Sequence, residues 1–266
     1  MEAGRLEAGA PLRCWERGEG DAVLFLHESA TTGEVWRPLA ERLPAGVRAI
    51  SYDRRGWGAS PAPAVYTRTT VEEQAEDAVA VLDQCGVSEA ILCGSGLGAV
   101  AALDLLLRRP RLVAGAVLIE PPLLAFLPDA TEGLSGDRGE IEAAVERGGA
   151  GAALDLYLGG GLPFVGPGVG RMPDALARAA RERPLSLFAE LAAVPGWPLR
   201  TPELIAATVP SRIVLSASTP PLLRRAGEEL AARLGGSRLL RVGGEGLPAL
   251  GATAGIAAAI ESLREG

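Results

Sequence analysis

Lysine and asparagine are absent from this 266-residue chain, and histidine occurs once, at His27. All 26 basic residues are therefore arginine. With its abundance of Ala, Gly, Pro, Arg and Leu, this bias fits a GC-rich, bacterial genome. It says nothing about a site and is no argument for arginine-based binding. A basic surface is also lacking. The 33 acidic residues are interspersed with the basic ones and leave a net charge of −7, which speaks against a nucleic-acid partner. The three cysteines, Cys14, Cys85 and Cys93, form no metal-ligand spacing and cannot all pair. Reduced thiols in a cytoplasm are the expectation, with no metal and no cofactor. No apolar run follows Met1–Arg5, so no signal peptide is expected. The most apolar stretch, Leu97–Leu107, is interrupted by Asp104 and closed by Arg108 and Arg109, too short to span a bilayer. A soluble cytoplasmic protein without a membrane partner is expected. Oligomeric state is not legible.

What is present is a 48% hydrophobic chain, long enough for one large domain or a core carrying an insertion. Short β-type runs alternate with helical patterns. Strands are expected at Leu12–Glu16, Ala22–His27, Val47–Tyr52, Ala90–Cys93, Val113–Ile119, Arg212–Leu215 and Arg238–Val242. Helices are expected at Glu34–Leu43, Val71–Cys85, Leu97–Arg109, Pro221–Leu234 and Ala252–Leu263. Thr69 or Thr70 caps the second of these, and Gly86 stops it. Strands separated by helices imply right-handed βαβ units and a mainly parallel sheet with helices on both faces. The rhythm breaks at Pro121-Pro122. From there to about Pro210 only helical patterns recur, at Ile141–Arg147, Ala152–Tyr157, Pro173–Arg183 and Leu185–Val194. This predicts a core of residues 1–120 and 211–266 with a helical cap, 121–210, inserted between two strands.

Several motifs carry a resemblance. Leu24-Phe25-Leu26-His27 with the later Trp36, Tyr52-Asp53-Arg54-Arg55-Gly56-Trp57-Gly58-Ala59-Ser60, Ile119-Glu120-Pro121-Pro122, and the apolar strand leading to Gly94-Ser95-Gly96-Leu97-Gly98 together resemble the α/β-hydrolase superfamily over nearly the whole chain. The resemblance implies an α/β-hydrolase fold with a Ser–His–Asp-type triad, and each triad position departs from it. The elbow runs small–x–nucleophile–x–small, which puts Gly96 where the nucleophile belongs. Reading Ser95 as nucleophile instead would put Cys93 and Leu97 in the small positions, where Leu97 lacks backbone room. Thr219 stands in the acid slot and Gly246 in the base slot. His27 lies far too early in the chain to be the late base. Triad members act as a unit, so three departures leave no Ser–His–Asp hydrolase.

The parts that could still carry chemistry follow from the same resemblance. Backbone N–H groups at Leu97 and near Ser29 would form an oxyanion pocket, able to stabilise an enolate or alkoxide or simply to bind a carbonyl. His27, the lone imidazole, would brace the loop beside it or take part in the oxyanion and ligand site. Ser95 is the only hydroxyl in the elbow and is expected to point away from the pocket. Glu28 replaces a family glycine, so a carboxylate enters this region. Its two readings are general acid/base work in a dry pocket and exposed surface charge. Glu120 ends a strand where sites in α/β folds gather; it is read as a structural hydrogen-bonding group or a catalytic acid. Trp36 of the oxyanion segment and Tyr157, Phe164, Phe188 and Trp197 are the expected aromatic walls, the last four unless they merely pack the cap.

Two functions stay open. One is a triad-less enzyme, a cofactor-independent lyase, cyclase or isomerase acting on a hydrophobic small molecule. The other is a non-catalytic small-molecule binder or receptor. A Glu28 carboxylate inside the pocket favours the first; one pointing to bulk water favours the second.

Overall fold

The central parallel strands are mostly apolar because both of their faces are covered. In the computed structural model, which describes residues 5–8, 10–162, 172–198 and 200–265, eight strands form one sheet. They are β1 (Arg5–Ala8), β2 (Ala10–Arg17), β3 (Asp21–Leu26), β4 (Val47–Tyr52), β5 (Ala90–Ser95), β6 (Val113–Ile119), β7 (Ser211–Ser216) and β8 (Ser237–Val242). Their order across the sheet is β1-β2-β4-β3-β5-β6-β7-β8. Pairing is antiparallel for β1–β2 and β2–β4 and parallel for the rest.

Side chains alternate across the sheet with the strand period of two. Leu24, Leu26, Leu92 and Leu118 point into one apolar layer with Val79, Leu82, Val100 and Leu103. These come from α2 (Val71–Gln84) and α3 (Leu97–Arg108). Val23, Phe25, Ile91, Cys93, Val117 and Ile119 point into the other layer. There they meet Leu39 of α1 (Arg37–Ala40) and Ile256, Ile260 and Leu263 of α10 (Thr253–Arg264). Helix α2 starts with a capping box. Thr70 Oγ1 accepts from the Glu73 N–H, and Glu73 returns a bond to the Thr70 N–H. Two orphan donors are thereby satisfied, for about 1 kcal/mol.

The expected helix Glu34–Leu43 is shorter than its apolar pattern: a 3-10 turn, Gly33–Trp36, leads into the four residues of α1. Pro38 has no N–H to give an intrahelical bond, and Pro44 closes the segment. Between β6 and β7 no strand forms among the described residues. A 3-10 turn (Leu124–Phe126) is followed by α4 (Ala130–Leu158), α5 (Asp174–Arg181), α6 (Pro184–Leu191) and α7 (Thr201–Ala206). Helix α4 begins well before the expected Ile141, across Gly133, Gly136 and Gly139, whose low helix propensity hides it from a sequence reading. It kinks at Gly148 and Gly149, with Gly149 at φ 69°. The kink falls between the two helical patterns expected separately. These helices bury their own cluster, Leu154, Tyr157, Leu158, Ala177, Ala180 and Leu187, against Ala30, Trp57 and Leu247 from loops at the sheet's edge. The chain closes with α8 (Pro221–Arg233), β8, α9 (Pro248–Gly251) and α10.

Candidate functional site

A cavity of about 440 Å³ lies between the C-terminal ends of β3, β5 and β6 and the helices inserted after β6. Its position follows from the topology: in a parallel sheet the loops leaving the strand ends converge on one edge. Eight residues singled out from the sequence meet there: Glu28, Ser29, Ser95, Gly96, Leu97, Glu120, Tyr157 and Trp197. Most of the remaining wall is apolar, including Leu123, Leu124, Leu187, Leu191 and Val194.

The strand-to-helix turn is the centre of the site. Gly96 adopts φ 55°, ψ −124°, a conformation that side chains with a Cβ resist. On either side, Gly94 faces the Gly98 carbonyl and Gly98 faces the Leu26 carbonyl so closely that a methyl at either position would collide with backbone. A Cβ at Gly96 would sit 2.9 Å from the Glu28 Cβ. Glu28 therefore fills the space that a side chain at 96 would need. Helix α3 starts at Leu97, which lines the cavity, while the Ala99 and Val100 N–H groups donate to the Gly96 carbonyl.

Three carboxylates line this cavity. Glu28 is half-buried, and its Oε1 accepts from Ser95 Oγ at 3.2 Å. Ser95 thus faces the cavity, contrary to the expectation that it points away; its bond to Glu28 turns it inward. Glu120 is only 4% exposed. Its backbone is left-handed, φ 46°, at the end of β6, a strain that non-glycine residues accept at about 1–3 kcal/mol. Its Oε1 accepts from Ser216 Oγ at 2.8 Å and from Thr219 Oγ1 at 2.6 Å. Thr219 thus supports Glu120 from behind and does not itself line the cavity, nor does Gly246, whose carbonyl accepts from Ser218 Oγ at 3.2 Å.

The third carboxylate, Glu190 on α6, escaped the sequence reading. It is 4% exposed and pairs with Arg54, whose side chain is completely buried. Arg54 Nη1 donates to Glu190 Oε1 at 2.6 Å and Nη2 to Oε2 at 3.2 Å. Trp57 Nε1 and Ser29 Oγ add bonds of 2.8 and 2.6 Å. Burial works against the Arg54 charge, but the charge and hydrogen bonds of Glu190 outweigh it and hold the guanidinium pKa above its ordinary value. The available signal was helical spacing. Leu187, Glu190, Leu191 and Val194 fall at i, i+3, i+4 and i+7, so one charge interrupts an apolar stripe, and all four line the cavity.

Three expectations are corrected. His27 is outside the lining and fully buried. Its Nε2 accepts from the Arg54 N–H at 2.8 Å, so the proton sits on Nδ1, which donates to the Glu28 carbonyl at 2.8 Å. Burial and the neighbouring Arg54 charge lower its pKa well below the usual value, so the ring is neutral. It braces the loop and reaches no ligand. Trp36 is no wall; it stacks on Phe25 in the core, ring centroids 5.2 Å apart, on the far layer of the sheet. Phe188 is half-buried outside the lining, because its stripe-mates Leu187 and Leu191 take the inward face of α6. Phe164 lies outside the described residues. Trp197 lines the cavity while its Nε1 donates to Asp104 Oδ1 at 3.0 Å.

Among the described residues no group of three or more His, Cys, Asp or Glu is arranged to hold a metal ion. No described helix is long and apolar enough to cross a membrane.

Comparison with known proteins places this geometry. A solved thermophilic esterase from Thermogutta terrifontis superposes with a TM-score of 0.77 at 20% identity, covering 100% of this chain and 99% of that one. An α/β hydrolase from Sphaerobacter thermophilus gives 0.73 at 23%, covering 99% and 100%. At these identities the likeness concerns the fold. In sequence, an epoxide hydrolase of Caballeronia sordidicola is 39% identical over 103 residues, 38% of this chain and 31% of that protein. A putative carbamate hydrolase, RutD, of Variovorax paradoxus is 37% identical over 102 residues, 38% of each. The matches thus span about a third of these relatives' lengths. The model of the Alpha/beta hydrolase family matches residues 23–259, and the chain belongs to that family.

Proposed function

We propose that this chain is a triad-less member of the family that acts on a hydrophobic small molecule by non-hydrolytic proton-transfer chemistry, of lyase, cyclase or isomerase type. Residues 121–210 serve as a helical cap over the core of 1–120 and 211–266. The observation that carries the reading is the exchange of space at the elbow: position 96 has no side chain, and the Glu28 side chain stands over it. With Gly96 in the nucleophile position, Thr219 in the acid position and Gly246 in the base position, a covalent hydrolytic cycle has no attacking atom. The buried, doubly bonded His27 supplies no base either. Glu28, by contrast, is a carboxylate inside a mainly apolar cavity, where a general acid/base is useful. In this reading the Leu97 N–H and one in the loop near Ser29 steady an oxygen that gains negative charge.

The relatives' names speak of hydrolysis, and the test separates the two chemistries. Protein in D₂O is incubated with a panel of uncharged hydrophobic ketones and the ketones are weighed by mass spectrometry. Wild type incorporates deuterium into at least one of them, and Glu28→Gln binds that ketone without exchange. Labelling of Ser95 by a fluorophosphonate, with ester hydrolysis, overturns the reading. Binding of a ketone by wild type with no exchange replaces it with that of a non-catalytic receptor, the reading that the apolar cavity alone would support.

A further inference from the structure

We propose that Cys14 and Cys85 form a reversible thiol–disulfide site, which a small-molecule disulfide or a peroxide closes and a dithiol reopens. The sheet decides which of the three cysteines meet. Side chains alternate along β2, so Cys14 and Glu16 share one face and Trp15 takes the other. Cys14 lies in the apolar layer that holds α2, and Trp15 in the opposite layer. Cys85 directly follows α2 and packs against the layer of Cys14. The two thiols share a hydrogen bond. Cys85 Sγ also donates to Glu16 Oε1 at 3.2 Å. Cys93 is fully buried in the opposite layer, so the sheet stands between it and the pair.

The framework that holds the pair does not use the sulfurs. Arg48 on β4 donates from Nε and Nη2 to Glu16 Oε2 at 2.8 and 2.6 Å, and from Nη2 to the Cys85 carbonyl at 2.8 Å. One guanidinium thus fixes the end of α2 against β2. Access to the two thiols is uneven. Cys14 is 4% exposed, whereas Cys85 is half-buried between the exposed Gln84 and Gly86. A reagent therefore meets Cys85 first, and Cys14 resolves the product. The hydrogen bond to Cys14, burial and the neighbouring Glu16 all push the Cys85 thiol up. At neutral pH the pair rests as thiols, and an added oxidant closes it. With glutathione disulfide, the Cys85 sulfur attacks one sulfur of the reagent, its proton passes to the Glu16 carboxylate, and one glutathione leaves. Cys14 then loses its proton and attacks Cys85 Sγ, and the second glutathione leaves. One S–S bond is broken and one is made; the protein gives up two electrons and two protons, and the reagent takes them. A peroxide does the same through a sulfenic acid at Cys85, with water leaving at each step. The bond ties β2 to the end of the helix whose Gln74 and Asp77 hold Arg54 and Arg55. Oxidation thereby stiffens the support of the Arg54–Glu190 pair.

The test treats the full chain with glutathione disulfide, blocks remaining thiols by alkylation and cuts after glutamate. Cys14, Cys85 and Cys93 then fall in separate peptides, 8–16, 77–89 and 90–132. Peptides 8–16 and 77–89 are expected as one linked species that dithiothreitol separates, with 90–132 unlinked. The bond closes a loop of about 70 residues, so the thermal midpoint is expected to rise by about 5 °C or more over the reduced chain. Cys85→Ser is expected to abolish both the link and the rise, and a rise that persists in it overturns the proposal. Glutathione retained on Cys85 without closure, a bond to Cys93, a dimer linked through Cys85, or no reaction also overturns it. So does a linked chain whose midpoint is unchanged or lowered, because the bond then forms only by distorting the fold.

Discussion

Glu190 and Glu120 line the same cavity and are equally buried, yet they are held by different chemistry. Glu190 is clamped by a guanidinium, an indole N–H and a serine hydroxyl. The guanidinium belongs to Arg54 in the loop after β4, so the bond ties α6 to the edge of the sheet. Glu120 is held by two hydroxyls from the end of β7 and the turn beyond it. A buried charge matched by an opposite charge is a structural joint, expensive to break because either partner alone is stranded. Each hydroxyl bond to a buried carboxylate contributes less to stability than such a charge pair. The Glu190–Arg54 joint is the stronger of these two attachments.

The largest expected effect comes from the joint. Glu190→Ala strands the Arg54 guanidinium and is expected to lower unfolding stability by about 3–5 kcal/mol in urea titration. A loss under about 1 kcal/mol would erase the distinction between the two walls. Next is the elbow. Gly96→Ser places a Cβ at positive φ and against Glu28, and is expected to cost about 2 kcal/mol with no gain of ester hydrolysis. Adding Glu28→Gly is expected to return about 1 kcal/mol in a double-mutant cycle, because the pair is in contact. Additive costs would show that Glu28 does not own that space.

The Arg54 side is also expected to reveal itself by pH. The folded state holds the His27 pKa well below the ordinary value of 6.5. Below that pH the unfolded chain takes up a proton that the folded ring refuses. Stability is therefore full above about pH 6.5 and falls as the pH drops, by up to about 1.4 kcal/mol per unit, until the folded ring titrates. His27→Gln is expected to remove this slope. Comparing the two slopes isolates the ring from Asp53 and Asp77, whose raised pKa values act in the opposite direction at lower pH. The smallest effect belongs to the Glu120 side. Thr219→Val removes one hydroxyl bond to Glu120 and is expected to cost only about 1 kcal/mol in thermal unfolding.

The sheet and its covering helices were legible because burial on both faces leaves continuous apolar runs, as in Val113–Ile119 and Ala22–Leu26, and because Gly86 and Thr70 punctuate α2. The elbow was legible from Gly94, Gly96 and Gly98, since only glycine tolerates such close backbone approach. The first half of α4 was hidden by glycines that a sequence reading takes for joints. The Glu190–Arg54 joint joins residues 136 positions apart, and no local pattern announces which arginine of 26 meets which acid. The support of Glu120 by Ser216 and Thr219 was illegible for the same reason. Thr219 was noticed only for what it is not.

The Gly148–Gly149 break in α4 reaches further than a local irregularity. Thr131 and Leu134 near one end of the helix and Tyr157 near the other all touch the same cavity. In a straight helix Thr131 and Tyr157 would stand about 39 Å apart, farther than a pocket for one small molecule spans. The two arms therefore work as callipers, with the glycine pair as their pivot. The length of ligand they admit is set by the angle between them, and a change at the pivot resizes the chamber while every residue that touches the ligand stays the same.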